Sequence, residues 1–106
     1  MTEVGQILRD KESEDKVVLI EKTDKTISEE VVYEEPDGTP ITVADYNKEY
    51  DEDERCVRVV YIESLDRHID DWREMNAREL KERIDELNEE RTTIRVYSFP
   101  ESRLVL

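Results

Sequence analysis

His68 is the chain's single histidine and Cys56 its single cysteine, the smallest set from which a thiol nucleophile and its base can be built. On a helix, His68 would stand near Asp71 and Trp72, with a carboxylate within reach of the imidazole. Cys56, however, opens the run Cys56-Val-Arg-Val-Val-Tyr-Ile62, and burial in such a strand suppresses the thiolate that a nucleophile needs. The simpler reading is a surface histidine and a small buried thiol. Ser98 and Ser102 flank Phe99-Pro100-Glu101 without the glycines of a nucleophile elbow. With Gly5 and Gly38 as its only glycines, the chain has neither a Walker loop nor a dinucleotide fingerprint.

Asp51-Glu-Asp-Glu54 and Asp70-Asp71 offer oxygen ligands of the kind that hard cations take. The first lacks the central glycine and the distal glutamate of an EF-hand loop. Asp and Glu number 30 in 106 residues, so neighbouring carboxylates arise from composition alone. A solvated loop is the simpler reading, and no metal or cofactor is expected. A small enzyme using His68 with a carboxylate stays open as an alternative.

Those 30 acids face 16 bases, a formal charge of −14. Self-repulsion of that size opposes a compact state unless salt screens it. Ten of the bases are Arg and six are Lys, which favours the more weakly hydrated cation and the better partner for carboxylates. A carboxylate-covered, lysine-poor surface suits a cytosol rich in potassium. No window combines basic residues with interleaved aromatics, so direct nucleic-acid binding is not expected. Arg91, Arg95 and Arg103 gather instead around the last strand. An acidic mimic of DNA, occupying another protein's basic groove, is a second alternative.

The elements that must position these residues follow from hydropathy patterning. At 106 residues, one domain spanning 1–106 is expected, with 1–16 loose or forming one helical turn through Val4, Ile7 and Leu8. The apolar share of 36 % lies below the usual range of about 45–50 %, so the core must be thin. Val17-Val-Leu-Ile20 reads as a buried strand. Thr26–Tyr33 and Ile41–Val43 flank Pro36-Asp-Gly-Thr-Pro40, whose residues favour a turn, and predict a hairpin.

Cys56–Ile62 is the clearest strand. Val57, Val59 and Tyr61 line one face, Cys56, Val60 and Ile62 the other, which places it centrally in a sheet. Leu65, Ile69 and Trp72 suggest a helical turn. Asn76 and Glu79 form a capping box ahead of the stripe Ala77, Leu80, Ile84, Leu87, which predicts a helix over 76–90. Thr92–Phe99 should be the last strand, stopped by Pro100, with Leu104-Val-Leu106 docked. Strand, helix and strand across 56–99 suggest a right-handed βαβ crossover. The expected class is α+β, a mixed sheet of four to five strands with one main helix packed on one face.

No basic segment followed by an apolar one opens the chain, and no apolar run approaches 18 residues, so a cytoplasmic protein away from membranes is expected. The strings Tyr97-Ser-Phe-Pro-Glu-Ser-Arg-Leu104, Thr42-Val-Ala-Asp-Tyr-Asn47 and Gly5-Gln-Ile-Leu-Arg-Asp10 resemble an uncharacterised family of small acidic proteins of halophilic archaea. That resemblance implies the saline setting and no site. With no converging catalytic set, the leading expectation is a non-enzymatic module that binds a protein partner or assembles as a homodimer. Tyr46, Tyr50, Trp72, Phe99 and Arg103 are its candidate interaction surface.

Overall fold

The computed structural model describes residues 2–106 as an α+β fold. Its strands are β1 (Ile7–Asp10), β2 (Lys16–Thr26), β3 (Val31–Glu34), β4 (Pro40–Thr42), β5 (Arg55–Tyr61), β6 (Tyr97–Pro100) and β7 (Leu104–Val105). The helices are α1 (Ile62–His68) and α2 (Ala77–Leu87), with short 3-10 turns at Val43–Tyr46, Trp72–Glu74 and Glu101–Arg103. Five strands form one sheet in the order β6-β5-β2-β1-β7, and β3 and β4 form a separate two-stranded arm.

Every neighbouring pair in the main sheet is antiparallel, which corrects the expected mixed sheet and its βαβ crossover. A single crossover helix carries the chain back to where the first strand began. Here α1 and α2 together return it beside the end of β5, where Tyr97 pairs with Val59, so β6 runs back along β5. The last strand is also shorter than Thr92–Phe99. Asn88, just past α2, accepts the N–H groups of Thr93 (2.8 Å) and Ile94 (2.9 Å) and donates to the Ile94 carbonyl, holding that stretch as a loop. Pro100 closes β6 instead of standing outside it, tolerated because β6 is an edge strand that can spare an N–H.

The sheet is not flat. Pro100 ends β6 and Leu104 opens β7 at the opposite edge, four residues later, a reach of at most about 14 Å. Laid flat, five strands would separate those edges by about 19 Å. The sheet therefore curls, helped by register irregularities in the long β2 between Leu19 and Glu21 and between Lys22 and Thr26. Leu8, Val17, Leu19, Val57, Val59, Phe99 and Leu104 fill the hollow so formed. The alternate residues Val18, Ile20 and Val60 face outward, where α1, α2 and the segment between them cover them with Leu65, Ile69, Trp72, Leu80 and Ile84. The two faces of the Cys56–Ile62 run thus fall as its pattern requires: Val57 and Val59 inside, Val60 under the helices.

Residues 2–16 are neither loose nor helical. Leu8 and Asp10 are both buried, so β1 belongs to the sheet, and Gly5 takes a positive φ of 93° that ends any helical turn there. The β3–β4 arm follows the expected hairpin. Gly38 supplies φ 90° in its turn, and Asp37 accepts the Thr39 N–H. Two strands alone are marginal. Ile27, Val43 and Cys56 root the arm in a third apolar cluster.

The α2 capping box forms as its residues predict. Asn76 Oδ1 accepts the Glu79 N–H at 2.8 Å, and Glu79 Oε1 accepts that of Asn76 at 3.1 Å. Asn76→Ala should lower stability by about 1 kcal/mol, read from a urea melt, since the Glu79 N–H at the helix start loses its acceptor.

Candidate interaction groove

Asp10 is wholly buried and is the centre of a polar cluster drawn from four distant parts of the chain. Because it alternates with Leu8 on β1, it points into the curled sheet, at the mouth of the hollow. Arg103 meets it with a fork, Nε to Oδ1 at 2.8 Å and Nη2 to Oδ2 at 3.0 Å. The Tyr61 and Ser13 hydroxyls each donate to Oδ2 at 2.9 Å, and the Glu12 N–H donates to Oδ1 at 3.0 Å. Burial alone would raise the Asp10 pKa. The donors led by Arg103 outweigh it and hold the carboxyl well below the usual range.

Arg103 is itself shared. Its Nη1 donates to Asn47 Oδ1 at 2.9 Å, and its guanidinium lies 3.8 Å from the Phe99 ring centre. The Asn47 side-chain amide in turn donates to the Val43 carbonyl, at the start of the 3-10 turn that follows β4. The cluster thus ties β1, the β6–β7 corner and the base of the arm into one frame. Every acceptor oxygen of Asp10 is occupied, which suits a structural staple and leaves no lone pair for a reaction.

Beside this frame runs a groove of about 660 Å³ between β6 and the arm. Arg95 to Phe99 form one wall, with Val31, Val32 and Tyr46 on the other, and Asn47 and Arg103 also line it. Val31, Val32, Tyr46 and Val96 are between 36 % and 60 % exposed, an apolar concentration on a surface otherwise dominated by charge. Tyr33 adjoins it, about half exposed and paired with Tyr46, a contact that pushes the Tyr33 hydroxyl pKa up. A second cleft, about 570 Å³ beside α1, is lined by Tyr61, Ile62 and Tyr97 together with Glu63, Asp66 and Arg67.

Of the five candidate surface residues, Tyr46, Phe99 and Arg103 meet at this groove. Tyr46 stands open, whereas Phe99 is 6 % exposed and belongs to the core, presenting only an edge. Tyr50 lies on the far side of Asn47, its hydroxyl donating to Glu12 at 3.1 Å. Trp72 is 4 % exposed beneath the helices and forms no part of the surface, because its indole packs with Ile69 and Leu80 while its N–H donates to Asp66. Val31, Val32 and Val96 were not among the candidates. Val31 and Val32 carry one signal, Glu29-Glu-Val-Val-Tyr-Glu-Glu35, an apolar triplet framed by acid pairs, and Val96 lies outside it.

The thiol and the imidazole do not come together. Cys56 sits in the cluster under the arm, where burial pushes its pKa up, while His68 is exposed at the end of α1. Between them lies most of β5, about 16 Å of strand. Asp51 accepts the Asp53 N–H and Glu54 that of Ser102, so this acidic run serves as turn and clamp. Among the described residues, no group of three or more His, Cys, Asp or Glu could hold a metal ion, and no helix is long and apolar enough to cross a membrane. No protein-family model, curated protein or solved structure matches the chain.

Proposed function

We propose that the chain is a non-enzymatic protein-binding module of the salt-rich cytoplasm of a halophilic archaeon, and that the groove between β6 and the arm is where its partner docks. The observation that carries this reading is the convergence of Val31, Val32, Tyr46 and Val96 on one concavity. Exposing them singly would mean little, but gathering them on a rigid frame marks an interaction site. The frame supports the same reading: the Asp10–Arg103 staple fixes the groove's floor before any partner arrives, which lowers the ordering cost of binding.

Site-specific photo-cross-linking tests it. A benzophenone side chain at Val32 or Val96, in the full chain and in lysate of the source cells, should give one discrete adduct. The same group at Arg83, on the exposed face of α2, should give none. Equal labelling at all three positions, or no adduct from the groove, overturns the proposal.

A further inference from the structure

Resting on that reading, we infer that the groove accepts an extended, basic and apolar polypeptide segment that adds as a strand along β6. The manner in which the walls are built is the first argument. Along a strand, successive side chains point to opposite faces, so a groove that meets a sheet's face is lined by alternate residues. Here three successive residues of β6, Tyr97, Ser98 and Phe99, line one wall, continued by Arg95 and Val96 of the loop before it, and the β3 neighbours Val31 and Val32 line the other. Both β6 and β3 therefore present their edges. Among the described residues, β6 has β5 on one side and no strand on the other, and β3 pairs only with β4. A channel flanked by two strand edges and dressed with valines offers main-chain hydrogen bonds and side-chain pockets together, the requirements of strand addition.

Charge selects the occupant. From Thr26 to Asn47 the chain carries six carboxylates and no Lys, Arg or His. Within the groove Glu30 is already met by Arg58 at 2.6 Å and Arg103 by Asp10, so neither asks for a ligand charge. The unmatched groups are the carboxylates of the arm, with Glu34, Glu35 and Asp37 exposed at its tip, and Arg95 on the opposite wall, which lies over the Tyr97 ring. A second copy would bring another −14 and another anionic arm to the same place. A segment alternating Val-like and Lys-like residues instead places apolar groups on Val31, Val32 and Val96 and cations along the acidic arm.

The probe is a capped decapeptide of alternating Val and Lys, titrated into the isotope-labelled full chain in KCl that maintains its native circular dichroism. Saturable amide shifts are expected at Arg95–Ser98 and Val31–Tyr33. A peptide of equal charge with two valines replaced by proline should bind at least tenfold more weakly, and a Val–Glu peptide should leave the spectrum unchanged. Val32→Ser with Val96→Ser should cost about tenfold in affinity, and Glu34→Gln with Glu35→Gln about threefold. Equal binding of the proline peptide or the Val–Glu peptide overturns the inference. So does no shift at millimolar peptide, or groove shifts that depend on protein concentration alone, which would assign the groove to a second copy. If the Val–Lys peptide fails while the cross-linked adduct forms, the docking site stands and its partner is of different chemistry.

Discussion

Arg103→Ala is expected to lower the unfolding free energy by about 3–5 kcal/mol, the range seen when one partner of a buried ion pair is removed. Asp10 has no exposed surface, and among the described residues Arg103 supplies two of its five donors and its only cation within ion-pair distance. Without the guanidinium, Ser13, Tyr61 and the Glu12 N–H remain, so the loss should fall toward the lower end of that range. Arg103→Lys should recover only part of it. A point charge cannot reproduce the fork on Asp10, the bond to Asn47 and the contact with the Phe99 face at once.

Acid gives the same pair a distinct signature. The folded Asp10 pKa lies below the ordinary Asp value of about 3.9. Its contribution is therefore complete above the unfolded pKa and is lost as pH falls through the folded one. In Arg103→Ala the burial that raises the Asp10 pKa is no longer outweighed by a fork, and the carboxyl can protonate at milder pH. The two proteins should thus differ most near neutrality and converge as pH falls below about 4. Urea melts at fixed KCl measure both quantities; guanidinium chloride would add salt of its own. A difference below about 1 kcal/mol at pH 7 would mean that Arg103 does not support the buried carboxylate.

This staple marks where sequence reasoning ends. Asp10 stands in a run of charged residues, Arg9-Asp-Lys-Glu, and nothing local separates it from 29 other acids. Its burial depends on the curl that brings β1 to the β6–β7 corner, a contact between residues 93 positions apart. The orientation of the last strand is hidden for a similar reason: one helix suggests a βαβ crossover, whereas α1 and α2 together return the chain antiparallel to β5. Local physics carried further where both partners were neighbours. The Asn76–Glu79 box, the Gly38 turn and the two faces of β5 needed no knowledge of the rest. The exposed valines show the intermediate case. Val31-Val32-Tyr33 reads as core by composition, yet on a two-stranded arm with no sheet behind it the triplet stays in solvent.

Removing salt should unfold this protein. Among the described residues, Lys and Arg ion-pair with only eight of the 30 carboxylates, leaving a surface of unmatched negative charge. The molecule measures 41 × 34 × 24 Å. At 10 mM salt the screening length is about 30 Å, so nearly every surplus carboxylate repels every other; at 1 M it is about 3 Å, and only adjacent groups interact. An apolar share of 36 % gives the core little margin against that repulsion. The native circular dichroism should therefore be absent at tens of millimolar KCl and appear toward the molar range. Sucrose at equal osmolality should not replace the salt, because it leaves the charges unscreened. Asp70→Asn, Asp71→Asn, Glu89→Gln and Glu90→Gln together remove four exposed charges that do not line the groove and should move the KCl midpoint downward. Native signal at tens of millimolar, or a midpoint indifferent to those four changes, would show that the core outweighs the repulsion unaided and that the acidic surface serves some purpose other than life in brine.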